Sequence, residues 1–134
     1  GALWAAGYPG HEVARIIKQH ASDGRRLSLQ PWEGLLSLSE IEELLGKYLP
    51  PSFEELPLPL AVGVQNSHGE RRLLSSGGLP AAIAASLAVP ILFEPVTVDG
   101  VKLRSACARD RTGLSSRSRW RPGQRTIVHL VDRA

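Results

Sequence analysis

The chain has no methionine, one cysteine and few aromatic side chains: three Trp, two Tyr and two Phe. Each shortage excludes something. The lone Cys107 has no partner for an intramolecular disulfide, so a fold must stand on its core. Cysteine usage of this kind slightly favours a reducing intracellular compartment. A sequence without methionine that opens on Gly1 is expected to be a processed, excised or partial segment of something longer. No basic leader followed by an apolar stretch opens it, so no secretory signal is expected here. No apolar run reaches the ~20 residues of a membrane-spanning helix. The longest, from Leu79 to Phe93, is interrupted by Pro80, Ser86 and Pro90.

What remains is an ordinary globular balance. Hydrophobic residues make up 43% of the 134 positions and charged residues 22%, enough for one domain, residues 1–134, with a core of its own. The net charge is +3, and the excess is uneven. Between Val101 and Arg125 lie seven arginines and one lysine against the single acid Asp110. An Arg/Ser-rich loop is expected over residues 114–125, solvated in its simplest reading. Such a segment could also meet an anionic membrane surface. Nucleic acid is disfavoured, because no aromatic-rich strand accompanies the arginines.

Periodicity outlines the elements. Ala2 to Tyr8 reads as a small-residue helix stopped by Gly7. From His11 to Ala21, Val13, Ile16 and Ile17 fall on one helical face. Leu27 and Leu29 alternate with polar residues, as in a short strand. Ser39 with Glu42 forms a capping-box pattern for a helix through Tyr48, stopped by Pro50-Pro51. Leu60 to Val64 and Arg71 to Leu74 read as a hairpin around Ser67-His68-Gly69. Pro80 opens a helix that ends before Pro90. Asp99-Gly100 between Val96–Val98 and Val101–Leu103 is a strong hairpin signal. Thr126 to Val131 reads as a last strand. Alternating strands and helices predict an α/β fold with a mixed sheet and flanking helices.

Several segments, in order, resemble the patatin-like phospholipase family of lipid acyl hydrolases. Gly1-Ala2-Leu3-Trp4-Ala5-Ala6-Gly7-Tyr8 is similar to the helix after the family's Gly-x-Ser-x-Gly elbow, and Gly34-Leu35-Leu36-Ser37 to its variable middle region. Phe53 to Leu60 is similar to the entry into a central strand, and Leu74-Ser75-Ser76-Gly77 to the run before the next helix. The most specific stretch is Ala85-Ser86-Leu87-Ala88-Val89-Pro90-Ile91-Leu92-Phe93-Glu94-Pro95-Val96, followed by Asp99-Gly100. It resembles the helix, bend and hairpin that lead to the family's catalytic aspartate. Asp110-Arg111-Thr112-Gly113 resembles the segment beyond it. The resemblance covers Gly1 to Gly113 and implies a partial patatin-like fold, the C-terminal part of the domain, with its first strands missing.

It also implies a chemistry: hydrolysis of acyl-lipid esters through an acyl-serine, using a Ser–Asp dyad, a Gly-rich oxyanion loop and no cofactor. The serine and the oxyanion loop would lie upstream of Gly1. No Gly-x-Ser-x-Gly occurs in the chain, and Gly113-Leu114-Ser115-Ser116-Arg117 lacks the second glycine. After four intervening residues beyond Asp99-Gly100, where the resemblance places the family's aspartate, stands Ser105, and Ser105-Ala106-Cys107 replaces the Asp-Gly-Gly triplet. A serine hydroxyl has no useful basicity, so the dyad is not intact and the chain is expected to be inactive by itself. Asp99 is a turn residue, and Asp110 is a poor substitute. Leu87, Ile91 and Phe93 are the expected acyl-contacting residues. His11, His20, His68 and His129 have no metal-ligand spacing, so no metal is expected. A Cys107–His nucleophile has no support in the spacing.

The alternative is a non-catalytic, degenerate hydrolase module acting as a structural or assembly subunit or a lipid-binding scaffold. Missing first strands would leave an open sheet edge, which predicts a protein partner or a second copy covering it.

Overall fold

The computed structural model describes residues 1–21 and 38–107. They form a mixed α/β unit in which a four-stranded antiparallel sheet carries helices packed against it. The helices are α1 (Ala2–Ala5), α2 (Gly10–Ala21), α3 (Ser39–Gly46) and α4 (Leu79–Leu87). The strands are β1 (Val62–Asn66), β2 (Arg71–Leu74), β3 (Val96–Val98) and β4 (Val101–Ser105), in the spatial order β2-β1-β4-β3. All three pairings are antiparallel, so the described strands do not form the mixed sheet expected from the alternation of elements. The physical reason is local: both outer pairs are hairpins, which can only be antiparallel. The strand expected at Thr126–Val131, the alternation at Leu27 and Leu29 and the loop at 114–125 lie outside the described residues.

Both hairpins are made by their turn chemistry. Asn66 Oδ1 accepts from the backbone N–H of His68 (3.0 Å) and Glu70 (2.9 Å), and Gly69 takes φ 78°. An asparagine that hydrogen-bonds the backbone ahead of it substitutes for a backbone turn, and glycine relieves the left-handed position. In the second hairpin Asp99 (φ 49°) and Gly100 (φ 76°) are both left-handed, as a two-residue type I′ turn requires. The two hairpins join through β1 and β4, with Val64 opposite Ser105 and Gln65 opposite Arg104.

One face of this sheet is apolar. Val62, Val64, Val98 and Leu103 are buried, and α4 covers them. Ala82, Ala84 and Ala85 have no exposed surface, because alanines let the helix axis sit close to the strands. Pro80 occupies the first turn of α4, where its missing N–H is harmless. Helix α3 packs on α4, and Leu49, Phe53 and Leu79 fill the space beyond.

The helix ends refine the sequence expectations. After α1, Gly7 takes φ 93°; its N–H donates to Trp4 C=O, and Tyr8 N–H donates to Leu3 C=O, a Schellman closure. Ser39 is the first helical residue of α3 rather than its cap. Leu38 holds the N-cap position with no side-chain bond, and it does so because its side chain is buried against Ala84 and Ala88. On α2, Ile16 is buried while Ile17 is 57% exposed, so the apolar face is narrower than expected. His20 Nε2 lies 2.9 Å from Tyr48 Oη, tying α2 to the turn after α3.

The segment from Pro51 to Glu55 is stitched to the start of α4. Phe53 N–H donates to Gly77 C=O and Leu79 N–H to Pro51 C=O, at 3.1 and 3.0 Å. Gly77 N–H in turn donates to Glu54 Oε1 at 3.1 Å. Backbone N–H donors at Glu54 and Gly77 hold the Glu54 carboxyl below its ordinary pKa. The stability this contributes is fully present above the unfolded carboxylate value of about 4.3 and is lost as pH falls through the lower folded value. Glu54→Gln should therefore flatten the acid limb of stability against pH, read by urea unfolding across the acid range. An unchanged acid limb would contradict this.

Candidate functional site

The position that the sequence resemblance singled out, Ser105, lies at the end of β4. Pairing with β1 drives Leu103 and Ser105 to the α4 side of the sheet, and Ser105 is only 2% exposed. Its N–H donates to Ala88 C=O at 2.9 Å, which fastens the loop after α4 to the strand end. Its Oγ accepts from Cys107 N–H at 3.3 Å, so the hydroxyl closes the turn that leaves the strand. Ala106 is buried and Cys107 exposed. A neutral hydroxyl used in this way as an acceptor closes a local turn and offers no base.

The residues expected to contact an acyl chain flank that point, but they do not share one environment. Leu87, at the end of α4, is 46% exposed. Phe93 is half-buried against Leu38, Ala84 and Ala88. Ile91 is 88% exposed, and its neighbour Leu92 is 57% exposed. Ile91 also has φ 79°. A β-branched side chain in the left-handed region is a genuine outlier, costing about 1 to 2 kcal/mol. The bend is held on both sides: Ala88 C=O receives the Ser105 N–H, and Phe93 N–H donates to Val89 C=O at 3.1 Å. Leu92, in the same apolar run, is exposed beside Ile91 although the sequence pattern does not single it out.

Asp99 stands apart from this point. It sits in the turn between β3 and β4, with its carboxylate beside Gly77. The length of β4 separates it from Ser105, about 13 Å at the usual strand rise. Asp110 and His129 lie outside the described residues. His68 is exposed in the β1–β2 turn, and His11 lines a shallow groove along α2 with Ala14, Arg15, Lys18 and Gln19. That groove belongs to one helix face, with Arg15 bridged to Glu12 at 3.1 Å. Among the described residues no group of three or more His, Cys, Asp or Glu side chains is placed to hold a metal ion. No helix of the described residues is long and apolar enough to cross a membrane.

No model of a known protein family matches the chain. Its functional reading therefore rests on the residues themselves and on the geometry around Ser105.

Proposed function

We propose that the chain is a segment of a patatin-like lipid acyl hydrolase domain with the catalytic aspartate position lost, so that these residues contact lipid but do not turn it over. In the parent reaction a serine Oγ attacks an ester carbonyl, the alcohol leaves, and water releases the fatty acid from the acyl-serine. An aspartate accepts or orients the serine's proton. The carrying observation is the state of Ser105. It ends β4, it is buried, and its Oγ accepts a backbone N–H, beside a bend at which Ile91 and Leu92 are exposed and Phe93 packs inward. A strand end next to an apolar bend suits a catalytic carboxylate beside an acyl chain. The hydroxyl found there supports the bend's geometry and none of the chemistry.

A second reading is favoured by the sheet edges. Among the described residues β2 and β3 each pair on one side only. Such edges accept further strands, which suits a structural or assembly module. Titration with a fluorescent long-chain fatty-acid probe separates the two. Saturable binding, weakened about tenfold by Leu87→Asp, supports the lipid reading. No probe binding by a chain that self-associates in sedimentation supports the second.

A further inference from the structure

The two edge strands differ in what they offer a partner. Asn66 N–H donates to Glu70 C=O at 3.0 Å, in register with the β1–β2 ladder. Antiparallel pairs alternate between hydrogen-bonded and non-bonded. The bonded pairs are therefore Val64–Arg72 and Val62–Leu74, and Arg71 and Leu73 turn their N–H and C=O away from β1. The β4 side agrees. Ser105 N–H points away from β1 to Ala88, so Arg104 bonds Gln65, and Gln65 does not also bond Arg71. Among the described residues no strand pairs with the outer side of β2. On β3 the bonded pairs are Val96–Leu103 and Val98–Val101, so within that strand Thr97 alone turns outward. Pro95, just before it, has no N–H to give. The edge able to hold a further strand at two residues is β2.

This edge is cationic. Arg71 and Arg72 are both exposed, and among the described residues neither is in an ion pair. Alternation sends Arg72 to the α4 side of the sheet and Arg71 to the other. Glu70, the adjacent acid, accepts from Asn66 Nδ2 at 2.7 Å within the turn. A second copy is a poor match for such an edge. The two-fold register that engages Arg71 and Leu73 of both copies sets Arg72 directly against its counterpart, and like charges directly opposite are destabilising. A strand with an acid facing Arg72 turns the same geometry into attraction, at the non-hydrogen-bonded position where side chains approach most closely.

We propose that β2 is a docking edge for an extended acidic segment of a partner protein, which adds antiparallel to β2 with a Glu or Asp facing Arg72 and non-proline residues facing Arg71 and Leu73. Main-chain hydrogen bonds at Arg71 and Leu73 hold the segment, and the two arginines select its charge. The inference rests on the assembly reading given above and not on the lipid one.

The test is fluorescence anisotropy of a short labelled peptide of alternating Glu and Thr, titrated with the full chain. Binding should saturate and weaken with salt. It should be lost when Lys replaces Glu, and when the Thr nitrogens, which face Arg71 and Leu73, are methylated. Arg72→Gln should keep parental stability and bind about fivefold more weakly. Leu73→Pro removes one outward N–H and leaves the β1 ladder intact, so it should fold and lose binding; if it does not fold, Arg72→Gln decides. Equal binding of the Lys or methylated peptide, or parental affinity in Arg72→Gln, would overturn the proposal. So would no binding at all, which would mean that the arginines only guard the edge against aggregation. A chain that ignores the peptide but self-associates in sedimentation overturns the acidic partner and leaves the assembly reading standing.

Discussion

Replacing Ser105 by aspartate should cost about 3 kcal/mol or more at neutral pH, and it should not create an esterase. The site is 2% exposed, and among the described residues Oγ accepts one backbone N–H, that of Cys107. A carboxylate there loses its water and gains one donor. Its added volume also presses on Val64 across the pair and on the Ala88 carbonyl. Burial raises the pKa of such a group, because the charged form is penalised. The folded state then keeps a proton that the unfolded state has released. The part of the penalty that comes from charge is absent below the unfolded aspartate value of about 3.9 and grows as pH rises towards the raised folded value, whereas the steric part persists at every pH. Urea unfolding at acid and neutral pH reads both the loss and its sign. A variant as stable as the parent at neutral pH would mean that the strand end already accommodates a charge.

The next largest effect is expected at Leu79. Leu79→Ala should destabilise by about 2 to 5 kcal/mol, the range for a buried leucine whose cavity cannot collapse. Leu79 has no exposed surface and sits among Leu49, Phe53, Val62 and Ala82. Its N–H also donates to Pro51 C=O, which fixes the backbone and limits relaxation into the cavity. Leu58→Ala is the matched control: Leu58 is 39% exposed, so its loss should stay under about 1 kcal/mol. Equal urea midpoint shifts for the two variants would contradict this account of the core.

These two positions differ in how far the sequence announced them. Leu79 stands beside Pro80 at the start of an apolar run and could be read as core. The burial of Ser105 could not, because it depends on β4 pairing with β1 about forty residues earlier. Local chemistry is legible at three turning points: Asp99-Gly100 makes its turn, Gly7 ends its helix, and Pro80 opens α4. Long-range chemistry is not. Nothing in the alternation of elements reveals that two antiparallel hairpins join edge to edge, and the mixed sheet expected from that alternation is absent among the described strands. Ser39 failed as a cap for a similar reason, since tertiary burial of Leu38 outweighed a capping pattern worth about 1 kcal/mol. At the site, the run from Leu87 to Phe93 was readable as apolar. Its division into an anchor at Phe93 and a projection at Ile91 and Leu92 follows from the left-handed turn at Ile91.

The central claim is that Ser105 is a turn-closing hydroxyl at a lost catalytic position. Hydrolysis of a short-chain nitrophenyl ester by the purified chain, beside its Ser105→Ala variant, tests it most directly. Both proteins should release nitrophenol at the uncatalysed rate. Turnover by the parent chain that disappears in Ser105→Ala would show Ser105 acting as a catalytic group and would contradict the account.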